Sequence, residues 1–276
     1  MSASSQAAQL RPLGIGEIFD RAVTLLARSP APFAIVALVG VLPSHFLNYL
    51  AAVTANTALR PVAVFGNISD TIAAMAAAAI VAQLYAGERT DWRAALAIGF
   101  KRILRAVGVN FMLAIVALIP VGIVAAIAVP AKIFRFGNPL ADIAALLIGL
   151  AFIAWVVAFF LASLYSYCAI AIDDRDAGDC VVKAFGLFAK GHTTRSLLFA
   201  LSAGAAVFGG SFVVGFGEGF LRAMHLIALA YGIGAVLMAA VMAFVHTLIP
   251  VFYYDTRVRD EGYDVQAMLA ALEPVQ

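Results

Sequence analysis

Charge is what this chain has least of. Asp, Glu, Lys and Arg make up 12% of its 276 residues, about half the share usual in a soluble domain. The shortage comes from long uncharged runs rather than an even thinning, which excludes the water-soluble classes. Cysteine is almost missing as well. Cys168 and Cys180 stand outside any CxxC pattern, so no disulfide framework or structural zinc site is expected. Met1 to Leu10 holds no basic residue and no apolar core; no cleavable signal peptide is expected, and the first span acts as its own insertion signal. The catalytic and phosphate-binding patterns HExxH, GxSxG, GxxxxGKS/T and GxGxxG do not occur, so no enzyme class and no cofactor is indicated. A net charge of +2 gives no general attraction to nucleic acid.

What the chain does have is apolar length. Hydrophobic residues make up 64% of it. Six runs, at about 32–54, 68–87, 106–129, 141–171, 196–217 and 225–250, each supply the roughly 20 helical residues that a ~30 Å hydrocarbon core requires. The fourth is the longest, and as a helix it would cover about 46 Å, so it must tilt or project at its Tyr165-Ser166-Tyr167 end. Lysine and arginine fix the orientation. With the N-terminus inside, fourteen of them, including Arg21, Arg28, Lys101, Arg102, Arg105, Lys183, Lys190, Arg257 and Arg259, face the cytoplasm. Only Arg60, Lys132, Arg135 and Arg222 face the other side. Both termini are therefore expected to be cytoplasmic.

Ahead of the first span, Ile15 to Arg28 reads as an amphipathic helix. Ile15, Ile18, Phe19, Ala22, Val23, Leu25 and Leu26 share an arc of about 160°, with Glu17, Asp20, Arg21, Thr24 and Arg28 opposite. It is too short and too charged to cross a bilayer, so it is expected to lie in the headgroup plane with its apolar face down. Ser29-Pro30 ends it. Similar segments precede the third and fifth spans. One sets Trp92, Leu96, Phe100, Ile103 and Leu104 against Lys101, Arg102 and Arg105. The other sets Val181, Ala184, Phe185 and Phe188 against Asp179, Lys183 and Lys190. Basic side chains beside an apolar stripe suit an anionic cytoplasmic leaflet, each worth about 1 kcal/mol near the surface; the same charges also serve simply to fix topology.

These segments suggest internal repetition. Arg28 and Arg105 lie 77 residues apart, as do the mid-span prolines Pro43 and Pro120. The third unit has Gly209-Gly210 where a proline would fall. The expected fold is an all-α integral membrane protein with a single membrane domain. It has six transmembrane helices in three repeated units of about 11–88, 89–174 and 175–254. Each unit is a cytoplasmic amphipathic surface helix followed by a transmembrane hairpin, and a cytoplasmic tail follows at 255–276. Ala73 to Ala79 and the row Ser202, Ala206, Gly210 permit close helix contacts, within the chain or in a homo-oligomer.

Polar groups inside spans are functional candidates. His45 follows the Pro43 kink with Ser44 and Asn48 close by. Together with Pro43 and Pro120 these residues mark a candidate polar cavity, although a histidine in the outer part of a span can also simply reach the headgroups. His246 lies near the cytoplasmic end of the sixth span, too far in depth from His45 to share a metal with it. Asn110 and Gln83 read as interhelical hydrogen-bonding residues. No span carries a lysine, arginine or carboxylate near its midpoint, which argues against a proton-coupled pump. Asp173-Asp174-Arg175-Asp176 is an acidic group able to hold a divalent cation or to cap the next helix. Phe252-Tyr253-Tyr254 reads as an interfacial aromatic belt where the chain leaves the membrane.

Two end motifs carry a family likeness. Arg11-Pro12-Leu13-Gly14-Ile15-Gly16-Glu17-Ile18-Phe19-Asp20 and Tyr254-Asp255-Thr256-Arg257-Val258-Arg259-Asp260-Glu261-Gly262-Tyr263-Asp264 resemble a bacterial family of multi-span proteins. It is the one named after the membrane domain of glycerophosphoryl diester phosphodiesterase. The resemblance implies a membrane module in a bacterial cytoplasmic (inner) membrane, without the soluble catalytic domain of the bifunctional members, and it carries over no catalytic residue. On physical grounds Arg257 and Arg259 are expected to dock against Glu17 and Asp20, closing the first unit on the last. Three functions follow in order of preference. First comes a non-enzymatic scaffold or accessory subunit packed against partner membrane proteins or lipids. Next is a transporter or channel-like protein for a small or lipid-like substrate, with its cavity near Pro43, His45 and Pro120. A membrane-embedded enzyme comes last.

Overall fold

The computed structural model describes residues 11–55, 66–128, 139–189 and 193–262. These form helices α1 (Ile15–Arg28), α2 (Pro30–Val53), α3 (Gly66–Tyr85), α4 (Trp92–Ala128), α5 (Pro139–Asp173), α6 (Ala177–Ala189), α7 (Thr193–Ala223) and α8 (Ile227–Glu261). No strand occurs among the described residues. Four of the helices, α2, α3, α7 and α8, are long and apolar enough to cross a membrane. Arg60, Lys132, Arg135 and Lys190 lie outside the described residues, as does the segment beyond Gly262.

Local chemistry sets the helix ends. Gly14 precedes α1, and the Glu17 carboxylate accepts the Gly14 N–H at 2.6 Å while pairing with Arg11. This satisfies one of the donors that a helix start leaves open. α1 ends at Ser29 because Pro30 carries no N–H and disfavours helical backbone in the residue before it. Proline fits at the first position of α2 for the same reason. α8 ends at Gly262, whose φ of 59° is the left-handed conformation that glycine adopts most easily.

The first expectation to need correction is the seating of α1. Its Ile18, Ala22 and Leu25 are buried within the protein, and Phe19 packs on Phe244 of α8 with ring centroids 6.0 Å apart. The apolar face is covered by α8 rather than resting on headgroups. A second difference lies in α4. The segment from Trp92 to Arg105 and the apolar run after it form one uninterrupted helix of 37 residues. The physical reason is local: nothing like Ser29-Pro30 separates Arg105 from Ala106.

Small residues bring the helices together. A Cβ on Gly40 would stand 2.8 Å from the Ala73 Cβ, and one on Gly99 would stand 2.7 Å from the Ile72 carbonyl oxygen. α3 therefore lies almost in backbone contact with both α2 and α4. Ser69 reinforces the first contact by donating to the Gly40 carbonyl at 2.8 Å. A Cβ on Gly210 would meet Val241 at 2.8 Å, so the small-residue row on α7 faces α8 there.

A third correction concerns the aromatic run. Phe252, Tyr253 and Tyr254 do not form an interfacial belt; they are the buried centre of one end of the bundle, with Tyr253 at 0% exposure. Phe252 stacks on Phe199 of α7 at 3.7 Å, and Tyr254 meets Tyr85 of α3 edge-on at 4.8 Å. α8 continues unbroken through Asp255 to Glu261, so a boundary drawn at residue 254 falls inside a helix.

Candidate functional site

At the end of the bundle where α1 begins and α8 finishes, two carboxylates collect most of the charge. Asp255 projects from α8 with a side chain 0% exposed. It accepts the Leu13 N–H at 2.6 Å, Arg195 of α7 at 2.5 Å and Arg259 at 3.2 Å. Arg195 and Arg259 also donate to the Leu13 carbonyl, at 2.6 and 2.9 Å. Both backbone polar groups of one N-terminal residue are thus held by side chains of α7 and α8. Such charge-assisted bonds offset the cost of burying the ions only when all partners are in place.

Asp173, at the end of α5, forms the second node. Its Oδ2 accepts the Tyr253 hydroxyl at 2.7 Å and pairs with Lys183 of α6 at 3.1 Å, and its Oδ1 pairs with Arg257 at 2.8 Å. Lys183 and Arg257 also reach Glu261, at 2.9 and 2.8 Å. Beside them, Asp174 joins Arg102 and Arg105 of α4 at 3.1 and 2.6 Å. The Arg105 hydrogen bond, helped by the charge of Arg102, holds the Asp174 carboxylate below its ordinary range.

These contacts redistribute the residues singled out in the sequence. The end motifs do meet, but through other atoms. Arg259 binds Asp255 and Leu13, Arg257 binds Asp173 and Glu261, Glu17 binds Arg11, and Asp20 is exposed. Of the residues expected at a lipid surface, Arg28 and Lys101 are exposed, while Arg21 lies over the Tyr85 ring. Lys183, only 12% exposed, and Arg102 turn inward onto the acidic group at the end of α5. That acidic group is accordingly engaged by lysine and arginine. No cluster suited to a metal occurs among the described residues.

At the opposite end of α8, His45 lines an open cavity of about 360 Å³ between α2 and α8, together with Leu42, Phe46, Tyr49, Tyr231 and Ala235 among others. Its Nε2 lies 3.4 Å from Glu218 of α7, and its Nδ1 lies 3.3 Å from the Val41 carbonyl. Both ring nitrogens thus face oxygen atoms. Tyr49 and Tyr231 meet edge-on at 6.0 Å, and Arg222 covers Tyr231. The other residues expected around this cavity are placed differently. Ser44 donates to the Val41 carbonyl, Pro43 is exposed and Asn48 half-buried on α2. Pro120 falls within α4, but its side chain lies outside the described set.

No family model, no curated protein and no solved structure matches the chain.

One carboxylate was missed in the sequence because it lies near the end of its own span rather than at the midpoint. Asp70 lies close to the start of α3, but α3 packs so that Asp70 faces Gly40, near the middle of α2. There Asp70 Oδ1 stands 3.4 Å from Nε2 of His246, which is 4% exposed. The two intramembrane histidines share no site; each has a carboxylate from another helix. A weak signal was available in Asp70 itself, the only acidic residue between Met1 and Gln83 apart from Glu17 and Asp20. Nearby, Tyr167 of α5 donates to Asn110 of α4 at 2.7 Å, the interhelical role read for Asn110.

Proposed function

We propose that the chain is a non-enzymatic membrane module that serves as a scaffold or accessory subunit for partner membrane proteins or lipids. In this reading α4 and α5 add two spans to α2, α3, α7 and α8, making six in three repeated hairpin units. The Asp173–Asp255 end faces the cytoplasm of a bacterial inner membrane, following the excess of lysine and arginine there. The likeness of the two end motifs to the bacterial membrane-domain family agrees with this assignment.

The observation that carries the proposal is how the buried charge is used. Asp173 and Asp255 are occupied in joining α5, α6, α7, α8 and the segment before α1. That is the chemistry of a rigid platform. Alongside it, α7 turns Leu201, Phe208, Phe212, Val213, Phe216 and Phe220 outward, a continuous apolar face on which a partner helix or acyl chains can pack.

A second reading, a transporter or channel-like protein for a small or lipid-like substrate, is favoured by the cavity at His45. It combines an apolar, tyrosine-lined wall with a histidine–carboxylate pair, the mixture that amphiphile sites use. Extraction into native lipid particles without detergent, followed by mass spectrometry of proteins and lipids, separates the two. A stoichiometric partner protein or annular lipid insensitive to His45 supports the scaffold. A monomer retaining a small molecule that His45→Gln or Tyr231→Ala releases overturns it in favour of transport.

A further inference from the structure

We propose that Asp70 and His246 form a proton-binding site within the membrane, a dyad that takes up one exchangeable proton between α3 and α8. The site goes beyond the scaffold reading and does not depend on it.

The geometry defines the tautomer. Nε2 of His246 faces the Asp70 carboxylate at 3.4 Å, so in the neutral ring the hydrogen sits on Nε2 and points at Asp70. That leaves Nδ1 with its lone pair. Nδ1 is buried and has no hydrogen-bond partner among the described residues. A buried polar atom left this way costs free energy unless it has a task or a small partner. His246 also lines a small cavity of about 10 Å³ with Ala74, Leu164, Tyr167, Cys168, Ile249 and Pro250, about the smallest volume that admits one water.

Pro250 adds to this in a way that depends only on position. Lacking an N–H, it removes the intrahelical donor from the carbonyl four residues earlier, which is that of His246. One residue therefore offers the cavity region both a basic ring nitrogen and an under-used carbonyl. Those two acceptors are what a proton arriving on water requires. Asp70, with a side chain 39% exposed, stands at the open side of the pair, and His246, at 4%, behind it. Because Asp70 faces Nε2, which already carries its hydrogen, the added proton reaches Nδ1 from the cavity side.

The uptake step is simple. A proton from water adds to Nδ1, the ring becomes imidazolium, and Nε2–H continues to face the ionised Asp70, so the added charge is neutralised within the pair. The titratable groups facing it are few. From α5 come the Tyr167 phenol and the Cys168 thiol, and from α3 Asp70 alone. His45 of α2 and Glu218 of α7 are engaged with each other, and α1 meets this stretch of α8 through Phe19 against Phe244. The net charge of the site is therefore set by the dyad.

The test uses the full chain in lipid nanodiscs with isotopically labelled histidine, the resonance absent from His246→Gln being assigned to His246. The expected result, with the bath taken from about pH 5 to pH 9, is a ring seen in both its neutral and its charged form. In Asp70→Asn its proton affinity should fall by about tenfold or more, because the neighbouring negative charge is gone. His225→Gln should leave the midpoint where it is. A His246 ring that keeps one protonation state across that range overturns the proposal, as does an unchanged midpoint in Asp70→Asn. The first of these is read on the unsubstituted protein, so the proposal stays falsifiable even if Asp70→Asn fails to fold.

Discussion

Removing the Asp255 carboxylate should release the first helix from the last. In Asp255→Ala, the Leu13 N–H loses its acceptor and Arg195 and Arg259 lose the anion between them, while all three stay close together. Breaking a buried ion pair from one side costs about 3–5 kcal/mol, because the remaining charge is left uncompensated. At about 1.4 kcal/mol per tenfold, the population with α1 undocked should rise by roughly two to three and a half orders of magnitude. Asp255→Asn keeps one carbonyl oxygen, enough for the Leu13 N–H or for Arg195 but not both, since they bind different oxygens of Asp255, and it loses the charge. Its cost should be about 1–2 kcal/mol, the difference between charged and neutral hydrogen bonds. Arg28→Ala is the control; Arg28 is exposed, and a substitution there should stay within about 0.5 kcal/mol. Two readouts suffice in nanodiscs: thermal unfolding, and the labelling rate of a cysteine introduced as Arg11→Cys. If Asp255→Ala melts with the Arg28→Ala control and the labelling rate does not change, the clamp is not what seats α1, and the account of that end of the molecule is wrong.

Gly99→Val should destabilise by about 1–3 kcal/mol in the same melting assay, since its first side-chain atom would already stand 2.7 Å from the Ile72 carbonyl oxygen; a neutral result would mean that α3 and α4 are not in backbone contact. The Asp174 carboxylate has a folded pKa below its unfolded one. Its contribution is therefore complete above the ordinary carboxylate value near ~4 and is lost as pH falls through the lower folded value. The stability gap between the unsubstituted protein and Asp174→Asn should narrow only in that acid range, as pH-dependent melting will show. Burial raises the Cys180 thiol to about 11, so maleimide at about pH 8 should label it far more slowly than a free thiol, and unfolding should restore the ordinary rate.

Some of this was legible in the residues because it is local. The period of Ile15 to Arg28, the break at Ser29-Pro30 and the apolar lengths of α2, α3, α7 and α8 need only neighbours in sequence. What could not be read depends on which helices meet. Asp70 and His246 are far apart in the chain, and no periodicity assigns one to the other. Phe252-Tyr253-Tyr254 has the same composition whether it faces headgroups or Phe199 and Tyr85; only packing decides. Lys183 and Arg102 look like surface cations beside an apolar stripe until Asp173 and Asp174 are seen to lie within reach. The predicted meeting of the end motifs named the correct regions and the wrong atoms, because the Leu13 peptide, rather than an acidic side chain, supplies the N-terminal half of the contact.

α4 runs from Trp92 to Ala128 as one helix, and the stretch ahead of Pro120, the residue able to bend it, is a stiff rod of about 40 Å. α1 and α2 are separated by the break at Ser29-Pro30, but this rod has none near Arg105, so Trp92 and the apolar turns that follow Arg105 move together. The Arg102 and Arg105 contacts to Asp174 tie this rod to the end of α5. Of the surface segments, this one is geared directly to what lies across the bundle.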